Sequence, residues 1–172
     1  MTSDPRSLAS LSEAVDLDGF NCGEPSLNEW LSRRAAAAEG ETARTCVIVR
    51  DRTVLAYYCL CAGAIDRSVW PSSLRRNVPD PIPIILLGRL AVDQAHQGSG
   101  LARMLMLHAM RQSLAASQLV GSRALVVHAL DESVAAFYRK LGFRPFGSQP
   151  LTLFVAFKTV AETLLTLQRR LQ

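Results

Sequence analysis

The sequence is poor in lysine, in cysteine and in long apolar runs, and each shortage argues against a class of protein. No apolar stretch reaches 18 residues, so a transmembrane helix is not expected. Residues 1–11 lack the pattern of a signal peptide, and a cytoplasmic protein without membrane contacts is therefore expected. The four cysteines form no C-x-x-C pair and lie near no histidine cluster, so no metal site is expected.

Arginine supplies nearly all of the positive charge. Lys140 and Lys158 are the only lysines among 19 basic residues, and the net charge is +4. The planar guanidinium suits phosphate, so an acidic ligand fits this composition. Arginines that merely face water would give the same charge.

The order of apolar patterns predicts a single domain of mixed α/β class over residues 1–172. A capping box at Ser26–Glu29 predicts a helix over 27–38. The other predicted helices are 101–116, 133–141 and 160–171, and the predicted strands are 44–49, 53–61, 84–92, 124–129, 143–146 and 151–157. Four prolines between residues 62 and 83 predict an irregular loop there.

The turn at 97–102, Gln-Gly-Ser-Gly-Leu-Ala, lies between a predicted strand and a predicted helix. A helix start has unpaired backbone N–H groups and partial positive charge, and glycine lets a phosphate approach the backbone. No Walker lysine follows, and Arg103 stands where the third glycine of a dinucleotide fingerprint would be. By itself the segment fits either a phosphate site or an ordinary strand–helix turn.

A second motif favours the phosphate site. The turn matches the [Q/R]-x-x-G-x-[G/A] loop of the GNAT acetyltransferases, and residues 135–143, Ala-Ala-Phe-Tyr-Arg-Lys-Leu-Gly-Phe, resemble their A-x-x-[LF]-Y-x-x-x-G-F helix. The resemblance implies a GNAT fold, in which a mixed, mostly antiparallel central sheet with splayed strands is flanked by helices. It also implies that acetyl-CoA is the donor.

The resemblance assigns roles residue by residue. The turn amides would hold the pyrophosphate, strand 90–92 would hold the pantetheine, and Asp131 replaces the Asn of many members. The residues assigned to acetyl-CoA in this way are Leu90, Ala91, Val92, Gln97, Gly98, Ser99, Gly100, Leu101, Ala102, Asp131 and Phe137. Tyr138 matches the tyrosine that assists the departing sulfur, although a helix tyrosine can also serve only in packing.

One subfamily is more similar. Segments 87–93, 74–77 and 79–83 resemble the TacT/AtaT-type toxins, as does Phe20-Asn21-Cys22-Gly23-Glu24 with 27–31. These enzymes acetylate the free amine of aminoacyl-tRNA. The resemblance implies a homodimer and an antitoxin partner whose ribbon-helix-helix part binds operator DNA.

Three arginines are candidates for the tRNA contact. Arg75 and Arg76 lie in the proline-rich loop, and Arg89 interrupts an apolar strand, where a charge must be paired or must line a cleft. Solvated or structurally paired arginines are the alternative reading.

The sequence provides no obvious general base for the amine. Asp93 and Asp131 are the candidates, but an α-amine with a pKa near 7.7–8.0 is partly neutral without help. This favours an α-amine over a lysine side chain. Other hypotheses are a GNAT enzyme acting on a small amine or a protein, and a non-catalytic acyl-CoA-binding module.

Overall fold

The structure, a computed structural model, describes residues 6–11 and 15–170. The strands in these ranges are β1 (Arg6–Ser10), β2 (Arg44–Arg50), β3 (Thr53–Ile65), β4 (Ile82–Val92), β5 (Ala124–His128), β6 (Arg144–Phe146) and β7 (Gln149–Ala156). The helices are α1 (Pro25–Arg33), α2 (Ala35–Ala38), α3 (Leu101–Leu119), α4 (Glu132–Lys140) and α5 (Phe157–Arg170). None of the helices in the described part is long and apolar enough to cross a membrane.

The strands form one seven-stranded sheet in the order β1-β2-β3-β4-β5-β7-β6. Four of the pairs, β1–β2, β2–β3, β5–β7 and β6–β7, are antiparallel. β4 and β5 are parallel, with a register from Ile85↔Leu125 to Leu87↔Val127. A parallel pair needs a crossover, and α3 lies between these strands in sequence. The predicted mixed, mostly antiparallel sheet is confirmed.

The chain forms two compact units. The first unit comprises Met1–Cys61 and Gly88–Ala109, and the second comprises Ala62–Leu87 and Met110–Gln172. The boundaries between them fall within β3, β4 and α3. The single domain over residues 1–172 stays a prediction.

An aromatic stack organises the core of the first unit. Trp30 on α1 stacks on Tyr57 of β3, with ring centroids 5.9 Å apart and planes 12° apart. Phe20 meets the same tyrosine edge-on at 5.6 Å. The Tyr57 hydroxyl donates to the Leu27 carbonyl at 2.7 Å, which fixes α1 against the strand. Full burial of such a ring contributes about 1.5–3 kcal/mol.

The second unit has an aromatic core of its own. Trp70 is 1% exposed and contacts Phe154 at a centroid distance of 4.8 Å and Phe146 at 5.7 Å. Because Trp70 belongs to the proline-rich segment, this contact anchors that segment on the sheet. A short 3-10 turn, Ser72–Leu74, follows it.

The predicted helix over 27–38 begins earlier and is divided in two. Pro25 occupies the first helical turn after the N-cap residue Glu24, and no side chain caps α1. The predicted capping box is therefore wrong: Ser26 instead donates to the Glu24 carboxylate at 3.1 Å. Proline at the first position presets a helical φ and needs no hydrogen-bond partner.

Several element boundaries also differ from the predictions. β1 was not predicted, since it is a short, largely exposed edge strand with little apolar pattern. β3 continues to Ile65 and β4 begins at Ile82, so the irregular loop is shorter than expected. The predicted end of the last helix, residue 171, lies outside the described residues.

Candidate active site

The turn between β4 and α3 has the backbone shape that a phosphate group needs. Gly98 and Gly100 have φ angles of +77° and +84°, a region that residues with a Cβ rarely occupy. A Cβ built on either glycine would meet no atom of the described structure within 4 Å. The space in front of both glycines is therefore open to a ligand.

The start of α3 supplies hydrogen-bond donors to that space. The Met104 N–H donates to the Gly100 carbonyl at 3.1 Å. The N–H groups of Leu101, Ala102 and Arg103 precede that bond and have no carbonyl partner within the helix. Their donors and the positive helix end match the charge of a pyrophosphate. These residues fit acetyl-CoA as the resemblance implies.

The strand predicted to hold the pantetheine is the end of β4. Ala91 is 5% exposed and packs into the core of the first unit, whereas Leu90 and Val92 are half-buried. The Asp93 N–H donates to the Leu55 carbonyl at 2.9 Å immediately after the strand. The core therefore fixes one side of this segment and leaves alternate residues on its less buried side.

The side chains of Gln97 and Ser99 are used inside the protein. The Gln97 amide nitrogen donates to the carbonyls of Cys22 and Val92, at 3.0 Å each. The Ser99 hydroxyl donates to the His96 carbonyl. These two residues can therefore contact an anion mainly through their backbone N–H groups.

Asp93 has a structural environment that does not suit a general base. Its carboxylate accepts from the Asn21 N–H at 3.0 Å and from the Ala95 N–H at 2.9 Å, and His96 Nδ1 lies 3.6 Å away. Partial burial works to raise the pKa of Asp93, but these backbone donors and the His96 ring lower it below its usual value. A carboxylate of this kind stays ionised and holds a proton weakly.

Arg89 is engaged in the first unit. Its guanidinium lies over the Trp30 ring, 4.5 Å from the centroid, in a cation–π contact. Burial raises the pKa of the Cys59 thiol to about 11, and the nearby Arg89 charge opposes that shift. The charge in the apolar strand is thus paired with an aromatic face, and a contact of Arg89 with tRNA stays a prediction. Arg89 remains half-buried.

Tyr138 lies on α4 in the second unit and is 4% exposed. Its ring packs between Phe137 and Phe143, with centroids 5.4 and 5.6 Å away. Burial raises the pKa of the Tyr138 phenol to about 12, so the hydroxyl keeps its proton throughout the neutral range. Phe137, predicted to contact the cofactor, is half-buried beside it.

Asp131 is the N-cap of α4. Its carboxylate accepts from the Val134 N–H at 2.9 Å and from the Ser133 hydroxyl at 2.7 Å. These hydrogen bonds lower the pKa of Asp131. The residue therefore has a local structural role, and it is a weak base for the same reason as Asp93.

Among the described residues, no group of three His, Cys, Asp or Glu side chains could hold a metal ion.

The two arginines of the proline-rich segment differ. Both are exposed, but the Arg75 guanidinium donates to the carbonyls of Trp70 at 2.7 Å and Ser68 at 2.6 Å. Arg75 thereby closes its own loop. Arg76 has no such bond within the described ranges, so its side chain is available to a phosphate.

Sequence reasoning missed the roles of Trp30 and Asn21. Trp30 supports Arg89, and the backbone of Asn21 bonds to Asp93, 72 residues away. The resemblance of segment 20–24 to the toxin subfamily was the available signal, but the segment contains no catalytic residue type in a recognisable spacing.

Comparison with known proteins establishes the class. Residues 41–145 match the acetyltransferase (GNAT) domain model, and the chain belongs to the GNAT acetyltransferase family. It is 39% identical to a tRNA-acetylating toxin of Mycobacterium tuberculosis (strain ATCC 25618 / H37Rv), over 86% of this chain and 90% of the relative.

Solved structures of toxins share the fold. AtaT complexed with acetyl-methionyl-tRNAfMet has a TM-score of 0.84 at 34% identity, covering 92% of this chain and 99% of AtaT. A Tyr-to-Phe variant of AtaT, bound to the C-terminus of the antitoxin AtaR and to acetyl-CoA, has a TM-score of 0.80 at 34% identity, covering 95% and 99%.

Proposed function

We propose that this chain is an acetyl-CoA-dependent N-acetyltransferase toxin that acetylates the α-amine of aminoacyl-tRNA and thereby blocks translation. The glycine turn before α3 carries the proposal, because its open space and unpaired donors suit a pyrophosphate. The identity to a tRNA-acetylating toxin and the likeness to AtaT with its acetylated tRNA support the acceptor class.

On the donor side, the backbone of 97–102 would hold the pyrophosphate and residues 90–92 would hold the pantetheine. A backbone N–H of that strand would stabilise the oxygen of the reacting carbonyl. The amine nitrogen attacks the thioester carbon, the carbon–sulfur bond breaks, and the sulfur leaves as a thiolate.

Tyr138 would donate a hydrogen bond to the departing sulfur. A phenol with a pKa of about 12 gives a proton to a thiolate near 8.5 only at a cost of about 5 kcal/mol. Stabilising the thiolate by a hydrogen bond, with the proton then supplied through water, is the lower-energy role. The raised pKa supports it by keeping the donor protonated.

The acceptor amine needs to be neutral without help from the protein. Asp93 and Asp131 hold their protons weakly, so neither suits the base role that the sequence left open. An α-amine has a pKa near 7.7–8.0, so about a tenth or more is neutral at pH 7, and an adjacent ester lowers the pKa further. This electrostatic setting favours aminoacyl-tRNA over a lysine ε-amine.

Arginines would guide the tRNA. Arg76 would contact phosphates, Arg75 would keep the loop in shape, and Arg89 on its Trp30 platform would position the aminoacyl end. The protein would act in the cytoplasm, with an antitoxin partner carrying a ribbon-helix-helix part that binds operator DNA. The AtaT structure bound to AtaR supports that partnership.

The test measures transfer of the acetyl group to aminoacyl-tRNA directly. The protein is incubated with radiolabelled acetyl-CoA and total charged tRNA, and the RNA is digested with nuclease. Label should appear in N-acetylated aminoacyl-adenosine, and uncharged tRNA should take up none. Label found instead in protein or in a small amine would contradict the proposal, and unchanged acetyl-CoA would point to the non-catalytic module.

A further inference from the structure

We propose that segment 20–24, Phe-Asn-Cys-Gly-Glu, is a brace that holds the phosphate turn, residues 97–102, in its anion-binding shape. Asn21, Asp93 and Gln97 act in it as positioning residues. This inference rests on the proposed function in one respect, the assignment of the turn to the pyrophosphate of acetyl-CoA.

Four hydrogen bonds tie residues 93–97, which lead into the phosphate turn, to the brace and to the end of β4. The Asn21 N–H donates to Asp93 Oδ2 at 3.0 Å, and the Gln94 N–H donates to the Asn21 carbonyl at 2.8 Å. Gln97 Nε2 donates to the carbonyls of Cys22 and Val92, at 3.0 Å each. Residues on both sides of the 3-10 turn Gln94–His96 are therefore tied to one distant segment.

The brace is itself rigid. The Asn21 side-chain oxygen accepts from the Gly23 N–H at 2.9 Å and from Asn28 Nδ2 at 3.0 Å, and Asn28 Oδ1 accepts from the Cys22 N–H at 2.9 Å. Asn28 belongs to α1, so the segment is fixed to a packed helix. Gly23 has φ +90°, and a Cβ there would lie 2.7 Å from Gln94 Nε2. The positive φ is what favours glycine here, because the end of the flexible Gln94 side chain could shift away from an added Cβ.

The turn has a reason to need such support. Two glycines with positive φ, Gly98 and Gly100, have many accessible backbone conformations, and ordering them on binding reduces affinity. Restraints on the residues just before them lower that cost in advance. The brace thus contributes to acetyl-CoA affinity without touching the ligand.

Gln97 shows the distinction between positioning and direct contact. Both hydrogens of its amide are directed to carbonyl oxygens, which leaves the side-chain oxygen, an acceptor, for any anion. A phosphate would be repelled by that atom. The side chain therefore acts through the turn, and donors at this position should be what matters.

A pair of substitutions at Gln97 separates donors from size. Gln97→Leu keeps similar volume and removes both donors, whereas Gln97→Arg keeps N–H donors on a longer side chain. Calorimetry with CoA should show affinity lower by on the order of tenfold to a hundredfold for Gln97→Leu. The Gln97→Arg variant should recover most of that loss.

Two acetyl donors then separate a positioning effect on the turn from a general loss of structure. Acetyl-CoA uses the turn, whereas S-acetyl-pantetheine lacks the pyrophosphate. The fall in kcat/KM for Gln97→Leu should be at least about tenfold larger with acetyl-CoA than with S-acetyl-pantetheine. An equal fall with both donors, unchanged CoA affinity, or no recovery in Gln97→Arg would overturn the brace.

A second variant tests the brace from its other end. Asn21→Ala removes the acceptor for Gly23 and Asn28, and it should weaken CoA binding in the same direction. Because both changes act on one brace, the double variant Asn21→Ala, Gln97→Leu should lose less than the product of the single losses. Independent, fully multiplicative losses would contradict the proposal. Absence of CoA binding in the unmodified protein would instead overturn the proposed function itself.

Discussion

The phosphate turn of the first unit and the Tyr138 helix of the second are built by opposite means. In the turn, the Asp93 and Gln97 side chains bond to backbone groups, and the N–H groups at the start of α3 are left for a ligand. In α4, Tyr138 is enclosed by Phe137 and Phe143, and burial raises its pKa to about 12.

If the proposed roles hold, this difference separates cofactor binding from chemistry in one enzyme. In the proposed assignment, the turn would attract the pyrophosphate through backbone geometry and a helix end, with no charged side chain required. The tyrosine keeps its proton because its surroundings disfavour the anion. Changes of backbone shape should therefore alter affinity, and loss of one hydroxyl should alter rate.

The largest expected effect is on turnover in Tyr138→Phe. This change keeps the ring and its packing and deletes the hydroxyl. The rate should fall by roughly a hundredfold to ten-thousandfold, the range for losing a positioned acid–base group. Single-turnover acetylation of charged tRNA measures it, with a CoA titration on the same sample.

Near-normal binding is the control for that variant. CoA affinity should hold, and stability should change by about 1 kcal/mol or less. Growth arrest on expression should disappear while the protein still accumulates. Turnover at the unmodified rate would make Tyr138 a packing residue and would remove the proposed catalytic role.

The next largest effect is on affinity in Gly100→Asp. The new side chain enters the open space in front of the turn, and its carboxylate repels the pyrophosphate. Acetyl-CoA affinity should fall by on the order of a hundredfold or more. Gly19→Asp is a matched control, because Gly19 has φ +79° and its Cβ position is equally open. Calorimetry giving similar affinities for the two variants would refute the phosphate-site assignment.

A smaller effect is expected in the proline-rich segment. Arg76→Ala should reduce the slope of log affinity for tRNA against log salt by about 0.7–0.9, the value of one phosphate contact. Arg75→Ala should instead lower thermal stability, since its guanidinium closes the loop. Binding titrations between low and physiological salt measure the slopes. If a variant that carries both Arg75→Ala and Arg76→Ala keeps the original slope, this loop does not contact tRNA.

Local patterns carried most of the fold prediction. The glycine turn, the adjacent strands β2 and β3 and the apolar strand β4 each depend on neighbours in sequence, and all are present. Edge strand β1 was missed because its five residues, Arg-Ser-Leu-Ala-Ser, carry too little apolar signal. The first helix was misplaced because Pro25 competes with a capping box as a start signal.

The supports of the site are long-range and had no such signal. Arg89 meets Trp30 from a strand distant in sequence, and Asn21 meets Asp93 across 72 residues. Periodicity and spacing describe single elements, so they could indicate that Arg89 needs a partner but could not identify it. The sequence could not decide on a general base for the same reason. Only the hydrogen bonds of Asp93 and Asp131 show why their carboxylates stay ionised.

The smallest expected effect of a substitution, and the one that most sharpens the comparison, is on the midpoint of the pH profile of the rate. Burial keeps Tyr138 protonated up to a pKa of about 12, and hydrogen bonds hold the pKa values of Asp93 and Asp131 below their usual range. None of the three should titrate between pH 6 and 9. With acetyl-CoA saturating, so that changes at the turn are not limiting, kcat should rise about tenfold per pH unit below the pKa of the acceptor amine and then level off. The rate rises with pH because the amine reacts only after losing its proton.

Tyr138→Phe should lower the whole pH–rate curve and leave its midpoint in place, because the hydroxyl contributes no ionisation in this range. Acceptors with different amine pKa values should move the midpoint by the same difference. Single-turnover rates across this range, for both proteins and two aminoacyl-tRNAs, provide the measurement. A midpoint that stays fixed when the acceptor changes would show that a protein group controls the reaction, and a falling limb below pH 9 that vanishes in Tyr138→Phe would show that the phenol ionises there.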